Sequence, residues 1–412
     1  MIHALLYTII CLISIVEKFV LWYELSYNIH VMNQKIIIVG GGISGIYCSI
    51  LLKQKLNNVD VIVLESNAQP LKKLLSTGNG RCNLSNTHLS IDFYHSDCQP
   101  YIADIIHTFD IHELEDLGLS LTTINNLVYP RSEQALSVKR VLLENANNLG
   151  VTIITNQHVN DIEYINNQYH LHTSSNVYHS DYCILALGSN ASKLSGSDND
   201  RYNILKKLNL EIVDTQSSLC ALNTKKSYPF KGVRVKGKVT LLQNNKEIHS
   251  ETGELLFTDY GISGICVMQL SHYIDDNQNH YQVVLDMFHE LTQEQLYQLL
   301  FNNKKISDHY LDGLVNTKIA EYFEKKDIKE VAHILKHFTF DITSKRDKEY
   351  AQVISGGLSF EEVNQCLEVD RYPHLYCLGE LLNVNGMCGG YNIHFALSSA
   401  KRAANQIIRE LC

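Results

Sequence analysis

The 412-residue sequence contains no Cys-x-x-Cys pair, and its 11 cysteines are spread thinly from Cys11 to Cys412. That spacing excludes the disulfide framework of a small secreted domain, and the odd count reads as reduced thiols in a cytosolic protein. Proline is scarce at 5 residues, so no proline-rich linker occurs and the connections are short. Positive charge is in deficit, with a formal net charge of −9. This balance counts against nucleic acid or an anionic membrane as the main partner. No Gly-x-Ser-x-Gly elbow, Walker loop or EF-hand loop is present, which removes three common hydrolase, nucleotide-hydrolysing and calcium-binding signatures. No internal repeat or low-complexity tract appears either.

What is present is ordinary globular composition, 45% hydrophobic and 19% charged. A chain this long predicts two or three packed units. The first 31 residues stand apart as strongly apolar. Their longest apolar run, Ala4 to Val16, ends at Glu17-Lys18 and falls short of the roughly 20 residues a spanning helix needs. There is no basic n-region or small-residue cleavage site. Met32-Asn33-Gln34-Lys35 leads straight into a strand, so Met32 is read as the natural start and residues 1–31 as upstream sequence. A weak membrane anchor is the alternative.

Lys35 to Val39 is a β-branched run expected to form a strand buried on both faces. It runs into Gly40-Gly41-Gly42-Ile43-Ser44-Gly45, a helix to about Leu56, and a second strand, Val59 to Glu65. Gly40, Gly42 and Gly45 match Gly-x-Gly-x-x-Gly inside a βαβ unit of the expected length. Gly40 allows the tight turn, Gly42 the approach of a pyrophosphate to the backbone, and Gly45 the packing of helix on sheet. The helix N-terminus offers N–H groups and partial positive charge to a diphosphate. Glu65 is placed to accept hydrogen bonds from an adenosine ribose and to repel a 2′-phosphate. The pocket therefore suits FAD or NAD and disfavours NADP.

Helices are expected over Tyr101–Leu117 and Glu133–Leu149, then strands at Val151–Ile154, His158–Ile165, Tyr169–Thr173 and Tyr182–Leu187. The alternating runs among these suggest an antiparallel meander beside the main sheet. Short β runs at Leu219–Asn223, Val235–Leu242 and Glu254–Phe257 precede amphipathic helical stretches within about 290–337. Ala351–Leu358 and His374–Leu378 return to strand, and Tyr391–Leu411 is a terminal helix. The expected division is a first part of a dinucleotide-binding domain over 32–189, an insertion over 190–345, and the second part over 346–412.

Two further stretches are rich in backbone donors. Lys72 to Asn86 is a Gly- and Asn-rich loop where a bound cofactor would pass. Leu378-Gly379-Glu380 ends a strand with a carboxylate placed for ribityl hydroxyls or the pyrophosphate edge, and Gly389-Gly390-Tyr391-Asn392 opens a helix whose N-terminus can face a flavin ring.

These residues carry a family resemblance. The sequence resembles the bacterial FAD-dependent flavoprotein family that includes aminoacetone oxidase and a dehydro-bile-acid reductase. The matching stretches are Ile38 to Gly42, Thr77-Gly78-Asn79-Gly80-Arg81-Cys82-Asn83-Leu84, Gly253 to Thr258, Gly261 to Gly264, Ser355-Gly356-Gly357, Gly379-Glu380 and Gly389 to Asn392. The resemblance implies an α/β fold with a discontinuous Rossmann-like FAD-binding domain, an inserted β-barrel-like subdomain and a small helical subdomain. Besides Gly40, Gly42, Gly45 and Glu65, it implies cofactor contacts at Ser44, Lys73, Gly80, Arg81, Cys82 and Asn83. Further contacts are implied at Val159 and Gly188, and at Gly379, Glu380, Gly389, Gly390, Tyr391 and Asn392. Departures are Ala186-Leu187-Gly188-Ser189 where the family has Ala-Thr-Gly-Gly, Ile265 in place of a proline, and loss of a tryptophan within His394–Leu397. The FAD site reads as retained, while the substrate pocket has drifted.

The expected function is hydride transfer between a small organic substrate and flavin N5, with NAD(P)H as reductant. No second Gly-x-Gly-x-x-Gly exists, so the nicotinamide must bind transiently at the flavin face. Alternatives are an O2-using amine or aminoketone oxidase and, in another class, a flavin-binding regulatory or RNA-associated module. No catalytic acid or base can be named; Tyr391 and Asn392 are the nearest candidates for ring contact. No metal site is expected: His333 and His337 have ligand spacing but no third ligand. Cys82, Cys377 and Cys388 fall near the cofactor and read as buried fillers. The expected location is cytoplasmic, or at the inner membrane if the leader anchors. The oligomeric state is left open.

Overall fold

The computed structural model describes residues 34–192, 201–275 and 279–412. The apolar leader lies outside them. Among the described residues, no helix is long and apolar enough to cross a membrane.

The central feature is a five-stranded parallel sheet in the order Leu375–Cys377, Tyr182–Leu185, Gln34–Val39, Val59–Leu64, Thr152–Ile154. Ile36, Ile37 and Ile38 are fully buried, as a strand covered on both faces requires. Each contributes about 1.5–3 kcal/mol by burial. Helix Ile43–Lys55 lies against the terminal helix Tyr391–Leu411, so the two chain ends close one domain. The antiparallel meander is three strands, Val159–Ile165, Gln168–Thr173 and Val177–Ser180.

The chain crosses to a second core through a two-stranded ribbon, Ile212–Ser218 outward and Val353–Leu358 on return. That core is a closed six-stranded barrel with the helices Gln293–Ile306, Thr317–Phe323 and Ile328–Lys336 inserted before its last strand. Phe230, Phe257, Phe338 and Phe340 meet there in edge and tilted contacts. Tyr202 to Leu210 pack into the first core, and the buried barrel core begins at Leu222.

Two local expectations are corrected. The helix expected over Tyr101–Leu117 is a helix at Gln99–Ile106 followed by a 3-10 turn at Ile111–Leu114. Asp110 accepts the His112 N–H while Glu113 reaches back to the Asp110 N–H, a capping box that restarts the chain. The stretch after it forms an unanticipated hairpin, Leu121–Ile124 with Leu127–Pro130, turned by Asn125 and Asn126 at positive φ.

Candidate functional site

A cleft of about 1540 Å³ runs from the carboxyl ends of the parallel strands to the wall of the barrel. Open parallel sheets bind ligands at such a place, where neighbouring strands leave in opposite directions from the first strand.

The glycine motif does two different jobs here. Gly40 sits at φ +112°, and a Cβ on it would lie 2.3 Å from the Ala186 carbonyl oxygen. A Cβ on Gly45 would lie 2.1 Å from the Gly40 carbonyl oxygen. These two let backbone meet backbone, and Gly45 does not reach the cleft. Gly42 differs: a Cβ there would meet nothing within 4 Å, because the position faces the cleft. Ile43 and Ser44 line the cleft beside it and begin a helix with no acidic residue in its first turn.

Glu65 is buried, and its carboxylate fixes two turns at once. Oε2 accepts the Gly41 N–H at 2.8 Å, and Oε1 accepts the Asn67 backbone and side-chain N–H groups at 2.7 Å each. Lys73 and Glu380, from opposite ends of the chain, pair at 2.6 Å on the cleft wall. Gly379 is inside the wall at φ +64°, where a Cβ would lie 3.1 Å from the Ser44 hydroxyl. Asn392 bonds Gly386 through both its amide atoms at 2.8 Å and so holds Met387, Cys388 and Gly389 against the cleft. Gly390 is required by close approach, since a Cβ would lie 2.5 Å from the Ser85 carbonyl oxygen.

The structure separates the Thr77–Asn83 stretch into two sets. Thr77, Gly78, Asn79 and Asn83 line the cleft, whereas Gly80, Arg81 and Cys82 do not. Arg81 pairs with Glu133 at 2.8 Å and lies over the Tyr129 ring, and it is Tyr129 that faces the cleft. Cys82 is fully buried, which pushes its thiol up to about 12. Tyr391, expected against a flavin ring, is turned away. Its ring stacks on Phe93 at 4.9 Å and its hydroxyl donates to the His88 carbonyl. Val159 and Gly188 line the cleft. Cys377 is buried in its strand, while Cys388 reaches the cleft with its thiol pushed up to about 12 by burial.

Arg201 was missed by sequence reasoning. Its Nη1 donates to the Leu187 carbonyl at 2.6 Å and occupies the space beside Gly188. Burial lowers its pKa while the Glu380 and Glu65 carboxylates oppose that, and a guanidinium stays charged. No motif announces it, because its place depends on the chain folding back from the strand end.

The other end of the cleft is mixed, with Gln269, Glu349, Tyr350 and Gln352 beside its apolar residues. Leu219, Ile265, Met268, Val353 and Met387 line it, from the barrel and from the returning chain. Behind it His95 and His272 stack at 4.4 Å, one from each core. His272 Nδ1 receives Ser218 and Asn385, and burial, with the charge on His95 and Lys345, lowers its pKa to about 3. His333 and His337 stack on the exposed face of the helical insert. Among the described residues, His309, Asp312 and Glu324 come close enough to share an ion, but they lie on the surface, where His309 and Glu324 already pair.

The family described as HI0933-like protein Rossmann domain matches residues 34–406. The chain belongs to this family. It is 31% identical to a 3-dehydro-bile acid delta(4,6)-reductase of Clostridium scindens, over 90% of this chain and 98% of that one. It is 24% identical to a ribosomal RNA dihydrouridine synthase of Haemophilus influenzae, over 91% of this chain and 98% of the other. In structure it is similar to the FrdA chain of Escherichia coli quinol fumarate reductase, with TM-score 0.50 at 12% identity, over 92% of this chain and 71% of that one. That last likeness shows a shared fold. The HI0933-like chain thus has a Rossmann-like flavoprotein architecture, with a closed barrel as its second unit.

Proposed function

We propose that the protein is an FAD-dependent reductase that adds a hydride and a proton across an activated carbon–carbon double bond of a small organic molecule, with NAD(P)H as reductant. The observation that carries this is one cleft joining a glycine-turn end, open at Gly42, to an end against the barrel where Leu219, Ile265, Met268, Val353 and Met387 offer apolar contact. Relatives on both sides support the reaction type, since one is named for reducing ring double bonds and the other for making dihydrouridine.

The residues fit FAD. Gly42 leaves space where a Cβ would intrude, and the Ile43–Lys55 helix start lies beside it for the diphosphate. Glu65 would serve the adenosine end, Lys73 and Glu380 the middle, and the Gly389–Gly390 turn the ring end, all of them on the lining of this one cleft. When bound, FAD supplies hydride transfer through its ring. The chain's part is to orient that ring, place the positive end of the Tyr391–Leu411 helix toward it, and exclude water with the Met268 and Met387 side chains. Cys388 keeps its proton at neutral pH, so the cleft holds no thiolate to compete for substrate. The thinly spread cysteines and the acidic balance fit a cytoplasmic enzyme acting on a small molecule.

Anaerobic mixing of the FAD-loaded protein with NADH and with NADPH tests the reading. Bleaching of the flavin band with turnover of a cyclic enone supports it. Failure of both nucleotides to bleach the band overturns the reductase reading in favour of an O2-using oxidase. A second reading keeps the chemistry but takes ribosomal RNA uridine as substrate, favoured by the second relative. Dihydrouridine content of ribosomal RNA from cells with and without the gene decides between the two substrates.

A further inference from the structure

Reduction of a carbon–carbon double bond needs a hydride on one carbon and a proton on the other. The cofactor end supplies the hydride, and a cleft that excludes water must take the proton from a side chain. Tyr129 stands at the place where that proton is needed. It lies on the hairpin strand Leu127–Pro130, is buried, and lines the cleft. A Cβ on Gly78 would be 3.7 Å from Tyr129 Cε1, and a Cβ on Gly389 would be 3.5 Å from Leu127 on the same strand. Both glycines line the cleft, so the phenol belongs to the end assigned above to the flavin ring.

The hydroxyl has one bond made and one proton to give. Arg81 Nη2 donates to Tyr129 Oη at 3.3 Å, and the guanidinium carbon lies 4.8 Å from the ring centroid. The oxygen therefore accepts, and among the described residues no acceptor takes the phenol's own proton. Arg81 is held in turn by Glu133 at 2.8 Å, whose backbone is kept at φ +48°, a left-handed conformation uncommon outside glycine. When the proton leaves, the negative charge that appears on Oη faces a fixed cation. Other proton-bearing groups at this end lack that support. Thr77 Oγ1 gives its proton to the Leu74 carbonyl, and the Cys388 thiol is pushed up to about 12 by burial and by the Glu251 carboxylate. We propose that Tyr129 is the catalytic proton donor: its O–H bond breaks, a C–H bond forms at the carbon next to the activating group, and Arg81 holds the phenolate. The electron pair arrives with the hydride at the other carbon. The phenolate regains its proton from water, which reaches the Arg81 and Glu133 side chains, 48% and 39% exposed. This rests on the reductase reading above and names its proton source. Arg81 is a positioning residue and does not line the cleft.

The test uses the FAD-loaded full chain, reduced anaerobically with stoichiometric dithionite, and reads the return of the flavin band on mixing with cyclohexenone or with nitrocyclohexene. The enone needs the proton for its reduction to complete. The nitro compound accepts the hydride alone and leaves as a stable nitronate. Tyr129→Phe keeps the ring and its packing. It should slow reoxidation by the enone about 100-fold or more, the range for loss of a general acid. The nitro compound should still react at the parent rate, with nitronate accumulating in the ultraviolet. Arg81→Met should slow the enone reaction about 10-fold or more while sparing the nitro reaction, and Arg81→Lys should recover part of the loss. Enone reduction at the parent rate by Tyr129→Phe overturns the proposal, and so does an equal loss with both compounds. If the reduced parent protein passes its electrons to neither compound, the reductase reading itself fails. If Tyr129 controls the enone rate, yet neither NADH nor NADPH bleaches the flavin, the proton donor stands and the nicotinamide reductant falls.

Discussion

At the dinucleotide end of the cleft the decisive groups belong to the main chain: Gly40 against the Ala186 carbonyl, Gly45 against the Gly40 carbonyl, and Gly42 open to the ligand. At the barrel end they are side chains, Leu219, Ile265, Met268, Val353 and Met387, brought from four separated parts of the sequence. A backbone-built site must repeat its spacing, because the glycines are demanded by fixed atomic separations. A side-chain-built site needs only a volume and a polarity, and many residues supply those. One end is therefore rigid and generic, and the other is where members of one family can differ in substrate.

The largest expected effect tests whether the glycines at the first end are really of two kinds. Gly45→Ala forces a Cβ to within 2.1 Å of a carbonyl oxygen and should cost more than about 3 kcal/mol, with loss of bound flavin. Gly42→Ala adds its methyl to open space, so the protein should keep its unfolding temperature within a few degrees while flavin retention falls. Thermal unfolding and flavin absorbance of the two purified variants measure this. If Gly42→Ala destabilises as much as Gly45→Ala, the distinction between packing and ligand glycines is wrong.

The second test concerns the wall behind the barrel end. His272 is held near pKa 3, well below the ordinary histidine value of about 6.5. Between these values the unfolded chain binds the proton and the folded one does not, so stability falls as pH falls through that window. From pH 7.5 to pH 5 the loss traceable to His272 is about 2 kcal/mol. His95 is shifted in the same direction by burial and by His249, which adds to the trend. Denaturant unfolding at both pH values should show a smaller pH difference in His272→Gln than in the parent. An unchanged difference would mean that the stacked pair opens to solvent.

These two ends also explain what the sequence could reveal. The βαβ unit, the glycine spacing, Glu65 and the terminal helix are local patterns, each visible within about 30 residues, and the fold class followed from them. Arg201 was not visible, because it acquires its role from the Leu187 carbonyl, a partner reached through the fold. Tyr391 was expected against a flavin ring, and its ring is turned from the cleft for the same reason. Its position after Gly390 is fixed by the chain, but the direction of its ring is set by Phe93, almost 300 residues earlier. Cys82 and Arg81 sit inside the most specific motif yet serve the core and Glu133.

A third test sharpens the contrast at the barrel end. Met268→Ala should weaken substrate binding by about 1 kcal/mol, a roughly fivefold rise in KM, since part of a thioether side chain leaves the contact. The turnover rate and the rate of flavin bleaching should stay as they are. A fall in bleaching rate would show that Met268 also orders the dinucleotide end.

The smallest effect is expected where a side-chain pair stands at the backbone-built end. Lys73 and Glu380 meet at 2.6 Å, yet their side chains remain 29% and 21% exposed. Water and salt screen a pair so placed, and its net worth is about 1 kcal/mol or less. Lys73→Met should therefore lower the unfolding temperature by only a few degrees and weaken flavin retention less than threefold. Added salt should shrink the difference further. A tenfold loss of flavin affinity would mean that a charged side chain, and not the glycine turn alone, holds the cofactor, and the two ends would then differ in degree and not in kind.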